Sequence, residues 1–286
     1  QAFEFNPTVS AWAGPFPLAT ATWLQPSVYL TPQGTAYAAA GDGLSVSTTP
    51  QLWSRYSGSP ELQRAGQVAG VGNTLYLLAP RPGSTATRGD SLTLYRLAGG
   101  SAVDLHLPAG ARTGIFSRMA VVGENEVYVR PDIGGDVLYW NGSTWSTVTV
   151  GSLATVQASP AAGVAYVAGQ GAGEWSLYLL RGGKLTPVPV PLLSSDIQVG
   201  GMGVDAQGDP YLVYGRRDAS YAGLGGVIFR SGGAWKKVPV RGDWSLGKSV
   251  WADADGTIWL TAYRPVERAS GGAVLWEWDV LRIQTR

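Results

Sequence analysis

The sequence predicts an all-β fold, a single β-propeller of four-stranded antiparallel blades. Three observations carry that prediction. A strand–turn–strand unit centred on an aromatic residue recurs along the whole chain, its turns are rich in glycine, and no stretch of a dozen residues shows an amphipathic helical period with caps. Composition agrees: of 286 residues, 45% are hydrophobic and 14% charged, with 40 Gly and 18 Pro. Such a chain has ample material for a core and lacks the signature of disorder.

Taken in order, Phe3-Glu4-Phe5 and the segment 10–18 read as a hairpin ahead of the first complete unit. Residues 1–26 are expected to close the ring against the last blade, because a propeller left open exposes strand edges. Six units then fill 27–286 and complete a single domain over 1–286; the partial N-terminal unit leaves a seventh blade open. The first strands (A) fall at 27–30, 67–70, 119–122, 156–159, 202–205 and 249–252. The second (B) carry Tyr37, Tyr76, Tyr128, Tyr166, Tyr211 and Trp259, each just after a turn. The third (C) hold Leu52-Trp53, Leu94-Tyr95, Leu138-Tyr139, Leu177-Tyr178, Val227-Ile228 and Leu275-Trp276. Fourth strands (D) are expected around His106 and at 145–150, 184–190, 235–240 and 281–285. A repeat of roughly 40–50 residues with four strands is the unit of a propeller blade. Aromatics that recur at one repeat position belong to packing between blades.

Loop lengths single out one face. In a four-stranded meander the A–B and C–D turns share one end of the sheets, and the B–C and D–A connections share the other. The former are tight, with Asn-Gly and Gly-Gly pairs suited to hairpins. The latter are longer: B–C at 40–51, 79–91, 215–226 and 264–272, D–A at 108–117 and 241–248. Loops on a rigid scaffold are where binding resides.

Candidate binding residues follow from that face. Trp23, Phe116, Trp175, Tyr221 and Trp244 lie outside the repeat positions and map to it. Aromatic platforms stack on sugars and anchor protein partners. Arg112, Arg118, Arg216 and Arg217 map there too, and clustered guanidiniums grip carboxylates in bidentate fashion.

Other classes are excluded or left without support. The net charge is +1, from 21 basic and 20 acidic residues, and no Lys/Arg run exceeds two, so nucleic acid is not an expected partner. Cys is absent and His106 is the single histidine, which removes thiol chemistry and multi-His metal sites. No apolar run reaches the roughly 18 residues of a membrane helix. Neither a cofactor, a metal nor a catalytic residue is assigned. Asp253-Ala254-Asp255-Gly256 begins like a calcium loop but lacks the later ligands and reads as an A–B turn. Two Arg-Gly-Asp triplets, at 88–90 and 241–243, and the sequon Asn141-Gly142-Ser143 read as turn chemistry. The start at Gln1 fits a removed signal peptide, hence an extracellular or cell-envelope location.

The sixth unit, with Asp253, Gly256 and Trp259 followed by Leu275-Trp276, resembles the bacterial propeller repeats of two-component-regulator type; the Asp205 unit keeps the Asp and Gly of that pattern. More weakly, the chain is similar to virginiamycin B lyase-type propellers. The resemblance implies the fold. Catalysis in the lyase type uses His and a metal, and with one His on an outer strand no activity is carried over. The expectation is a non-catalytic binding or scaffold module that meets a protein partner or a glycan through the long-loop face, or a subunit of a larger envelope assembly. The alternative is a lyase or hydrolase at the mouth of the central channel. It needs polar side chains on the innermost strands, which read mostly small and apolar.

Overall fold

The computed structural model of the chain describes residues 2–6, 11–16, 27–40, 43–49, 52–84, 92–114, 117–132, 135–216, 225–240, 245–252, 257–268 and 274–283. At 2–6, 11–16, 40, 152–154, 216, 245–249, 251–252, 262–268 and 274–280 the description is of the backbone. The chain divides into two compact units, 1–146 and 147–286.

In the first unit, β1 (Ala2–Asn6) and β2 (Ala11–Phe16) pair as an antiparallel hairpin. The first four-stranded sheet is β3 (Ser27–Leu30), β4 (Ala36–Ala40), β5 (Gly43–Thr49) and β6 (Leu52–Arg55). A four-residue helix, α1 (Pro60–Gln63), opens on Pro60 and leads into β7 (Gln67–Val71), β8 (Thr74–Pro80), β9 (Leu92–Ala98) and β10 (Ser101–Asp104). The third sheet is β11 (Arg118–Gly123), β12 (Glu126–Arg130), β13 (Asp136–Trp140) and β14 (Trp145–Thr149), with the division between units falling inside β14. The second unit holds β15 (Ser152–Ser159), β16 (Val164–Gly171), β17 (Glu174–Arg181) and β18 (Lys184–Val188), then β19 (Ile197–Val204), β20 (Pro210–Arg216), β21 (Gly226–Ser231) and β22 (Ala234–Pro239). It ends with the three-stranded sheet β23 (Ser245–Ala252), β24 (Ile258–Arg268) and β25 (Val274–Ile283). Every sheet is a meander in chain order. The first strands of successive sheets lie side by side, β3 by β7 by β11 in one unit and β15 by β19 by β23 in the other. This is the arrangement of a β-propeller, with A strands innermost.

The recurring aromatics do pack between sheets. Tyr76, Leu78, Leu92 and Leu94 of the second sheet meet Met119, Val121, Val127 and Val129 of the third. Tyr166, Ala168 and Leu177 meet Ile197, Met202 and Leu212 in the same way. Tyr76 and Tyr166 of the B strands, and Tyr29 of β3, also tie one sheet to the next by a similar hydrogen bond. Tyr76 Oη donates to the carbonyl of Glu124, Tyr166 Oη to that of Gly208 (3.1 Å) and Tyr29 Oη to that of Gly72 (2.9 Å), each acceptor lying in the A–B turn of the following sheet. Burial pushes the Tyr76 phenol up to about 12, Arg96 opposing and Glu124 adding, so it stays a donor throughout the neutral range.

Two of the A–B turns share a capping geometry. Asp205 Oδ1 accepts from the amides of Gln207 and Asp209, and the Gly208 amide donates to the Asp205 carbonyl. Thr31 plays the same part in the first sheet: its Oγ1 accepts from the Thr35 amide and its carbonyl from that of Gly34. Gly208 and Gly34 close these turns at φ 88° and 84°, where other residues are strained. The Asp-x-x-Gly reading of this turn therefore holds at Asp205; the sixth-unit copy, 253–256, lies outside the described residues.

Five sequence expectations change. Residues 40–51 are not a long B–C loop but contain strand β5, because Leu44 and Val46 alternate with Ser45 and Ser47. Leu44 is fully buried while Leu52 is 69% exposed, and Leu52-Trp53 belongs to the outer strand β6. The last B–C connection shrinks likewise, since β24 runs to Arg268. Leu281 does not begin a fourth strand, as β25 runs without a break from Val274 to Ile283, paired residue by residue with β24. His106 lies just past β10 rather than in it, at φ 48°, exposed and beside Asp104 (Nδ1–Oδ2 3.3 Å).

Candidate functional site

The site with the most chemistry sits at the long-loop end of the third sheet. Strands β11 and β12 turn at Glu124-Asn125, so their free ends bring Arg118 and Arg130 directly opposite each other as paired residues. Both belong to the end from which the D–A connection (105–117) enters and the B–C connection (131–135) leaves. β11 lies beside β7, so the pair is on the inner side of the sheet.

Residues 105–114 and 117 of this connection are tied to the core and to each other by named contacts. Leu105, Leu107 and Ala111 are buried in the core between the second and third sheets. The Leu105 amide donates to the Leu94 carbonyl, and the Leu105 carbonyl accepts from the Trp145 indole (2.8 Å). Thr113, fully buried, donates its hydroxyl to the Leu92 carbonyl (2.8 Å). Ser117, also fully buried, accepts from the Gly114 amide on Oγ and donates that hydroxyl to Asp132 Oδ1 (2.9 Å).

Asp132 is thereby fixed from two sides, its amide donating to the Arg112 carbonyl (2.9 Å). The Ser117 carbonyl accepts from Arg118 Nη1 (2.7 Å) and from Gln67 Nε2 of the neighbouring innermost strand. Burial holds the Arg118 guanidinium down, to about 10; Arg130 pushes the same way and Asp132 opposes. Burial also lowers Arg130, again opposed by Asp132. Asp132 thus lies within the electrostatic reach of two partly desolvated guanidiniums. Both remain charged at neutral pH, and planar guanidiniums so placed suit an oxyanion.

Of the residues expected from the sequence, Arg112 and Arg118 come together here. Arg112 contributes its carbonyl and leaves its side chain exposed; Arg118 lies at the centre. Trp175 is not in a loop. The connection between β16 and β17 is only Ala172-Gly173, so Trp175 lies in β17 opposite Gln170, 9% exposed and packed with Tyr166, Ile197 and Tyr214. Arg216 is the last residue of β20, opposite Ile197. Trp23, Phe116, Arg217, Tyr221 and Trp244 lie outside the described residues, as do both Arg-Gly-Asp triplets. Arg130, Asp132, Ser117 and Gln67 escaped the sequence reading. The turn after Val122 was a usable signal, since antiparallel pairing about it sets residue 130 against 118.

Among the described residues, no group of three or more His, Asp or Glu side chains is placed to hold a metal. No helix among them is long and apolar enough to cross a membrane.

The strand order and the side-by-side first strands make this chain a β-propeller repeat protein. No protein-family model matches it, and neither does any curated protein. Its solved structural neighbours include propellers of both kinds that the sequence resembles. Virginiamycin B lyase from Staphylococcus aureus is 8% identical at a TM-score of 0.53, over 88% of this chain and 83% of that one. A protein from Lactobacillus plantarum is 12% identical at a TM-score of 0.57, over 99% and 94%. The extracellular domain of the two-component system BT4673 from B. thetaiotaomicron is 12% identical at a TM-score of 0.53, over 82% of this chain and 31% of that one. Identities this low speak for the fold.

Proposed function

We propose that this propeller is a non-catalytic binding module, extracellular or in the cell envelope, whose long-loop face receives a protein partner or a glycan. The observation that carries the reading is the anchoring of residues 105–114 and 117, which fixes Asp132 beside the Arg118–Arg130 pair at the ends of β11 and β12. A rigid loop carrying charged groups pays little ordering entropy on binding. The extracellular domain among the structural neighbours supports the location and the binding role.

A second reading, a lyase or hydrolase at the channel mouth, draws on Gln67 and Arg118 of innermost strands lying close to Arg130 and Asp132 at and beyond the end of β12. Against it, Asp132 already accepts from Ser117, and general acid–base chemistry at a glycosidic bond calls for two carboxylates. The test is capture of solubilised envelope from the source organism on immobilised protein, with and without protease treatment of that envelope. The reading expects a retained component, protease-sensitive for a protein partner and protease-resistant for a glycan. Retention of nothing in either arm, with turnover of a test polysaccharide, would move the assignment to the enzyme.

A further inference from the structure

We propose that the Asp209–Pro210 peptide bond is a self-cleavage site, at which the chain parts into 1–209 and 210–286 in mild acid. The bond lies at the short-turn end of its sheet, so the inference goes beyond the binding reading above and stands or falls apart from it.

Asp209-Pro210 is the one Asp-Pro pair in the sequence, and it joins the A–B turn to β20. The chemistry of such a pair is built into the chain. An aspartate carboxyl can close a five-membered ring on the carbonyl carbon of its own residue. A residue before proline is held in extended backbone, which stands Cβ out of the plane of the following peptide and brings the carboxyl over the face of that carbonyl. The proline nitrogen belongs to a tertiary amide with no N–H, and once protonated it leaves as a secondary amine. In the first step a carboxyl oxygen of Asp209 bonds to the Asp209 carbonyl carbon, the bond from that carbon to the Pro210 nitrogen breaks, and the carboxyl proton passes to the nitrogen. The cyclic anhydride left on residue 209 then takes up one water and opens to two carboxyl groups. Nothing is oxidised or reduced.

The turn favours this step. The Asp205 amide donates to the Asp209 carbonyl oxygen (3.1 Å), the atom on which negative charge gathers as the carboxyl adds. Asp205 Oδ1 accepts from the Asp209 amide (2.8 Å), and Tyr166 Oη of the preceding sheet donates to the Gly208 carbonyl (3.1 Å), so the backbone before the bond is held from two elements. Pro210 is buried opposite Val204, whereas Asp209 is half-buried and open to the water of the second step. The titratable and charged groups around Asp209 are Asp205 of the same turn, Arg230 of β21 and Tyr166 of β16. Burial and the Asp205 charge raise the Asp209 carboxyl, with Arg230 opposing, so it keeps the proton it must hand to Pro210 in milder acid than a free aspartate does. After the cut, the ladder between β19 and β20 still joins the two pieces, which part when the chain is unfolded.

The experiment incubates the purified whole chain along a pH series, within the range where melting curves show it folded. Cleavage is read by intact mass after denaturation and by N-terminal sequencing of the smaller piece. Wild type is compared with Asp209→Glu, with Pro210→Ala and with wild type unfolded in urea at the same pH. The expected result is a piece that begins at Pro210, with the two masses adding to the parent plus one water. It should form about tenfold or more faster in the folded chain than in urea, at a rate that rises as pH falls and does not change on dilution. Asp209→Glu must close a larger ring and Pro210→Ala gives an ordinary secondary amide, so each should slow the cut by about tenfold or more. The urea comparison needs wild type alone, so the test survives a variant that fails to fold. No cut at this bond would overturn the proposal, as would a cut no faster than in urea, one indifferent to both substitutions, or one that slows on dilution and so belongs to a protease.

Discussion

Gly203 offers a test in which two effects of opposite sign compete. It is a buried residue of β19, paired directly with Tyr211 of β20. A Cβ added there would lie 2.1 Å from Tyr211 Cε2 and 2.3 Å from Cζ, so the ring occupies the space a side chain would take. Tyr211 is itself buried among Val227, Phe229 and Ile258, which leaves the ring little room to retreat. Replacing a strand-interior glycine by alanine gains about 0.5–1 kcal/mol from the unfolded chain. Forcing a methyl into a filled core costs about 1–3 kcal/mol. Gly203→Ala should therefore lose about 1–2 kcal/mol, read as a shift of the urea midpoint followed by tryptophan fluorescence. Gly200, three residues earlier in the same strand and exposed, is the control: the nearest atom to its added Cβ is 4.0 Å away, so Gly200→Ala should be neutral or gain about 0.5 kcal/mol. In a Tyr211→Leu background the penalty at 203 should largely disappear. A gain from Gly203→Ala equal to that at Gly200 would refute the packing argument.

Three further predictions concern turns, latches and charge. Ala172 sits at φ 49° in the two-residue hairpin with Gly173, a turn that wants Gly or Asn at its first position; Ala172→Gly should stabilise by about 1 kcal/mol in the same urea assay. Tyr76→Phe strips the Glu124 carbonyl of its donor at a fully buried ring and should cost about 1–2 kcal/mol, while Tyr29→Phe, half-buried, should cost less on thermal melting. Asp209 has its carboxyl raised above the ordinary 3.8, by burial first, then by Asp205, with Arg230 opposing. A raised acid destabilises the fold wherever it is ionised, so the penalty is full above its native pKa and gone below 3.8. Asp209→Asn should accordingly stabilise at neutral pH, and melting curves down a pH series should show that gain vanish as pH falls through this window.

Much of the fold could be read from the residues because the repeat imposes local rules. An aromatic near the start of each B strand and a glycine in most A–B turns are visible one unit at a time, and the structure gives Tyr76 and Tyr166 a task, the ring between sheets and the hydroxyl on the next turn. What the reading lost was non-local or ambiguous. Gly43–Thr49 has small, polar alternates that look like loop, and becomes a strand only through the ladders of β4 and β6 on either side. Trp175 looks like a loop aromatic until the Ala172-Gly173 hairpin is recognised, and Ala at a left-handed position hides that turn. The site suffered most. Arg112 and Arg118 stand out as loop arginines, but Arg130 looks like a strand end and Asp132 like a turn residue. They join the site only through strand register and through Ser117, whose two hydrogen-bonding groups connect residues up to 50 positions apart.

The central claim is that this propeller binds through the end of its sheets that carries the long connections. The most direct test is hydrogen exchange on the whole chain with and without the envelope component it captures. Protection is expected in 105–118 and 126–132, around the Arg118–Arg130 pair, with the A–B turns at Gly34, Gly72 and Gly208 unchanged. Protection at those turns, or none around the pair, would contradict it.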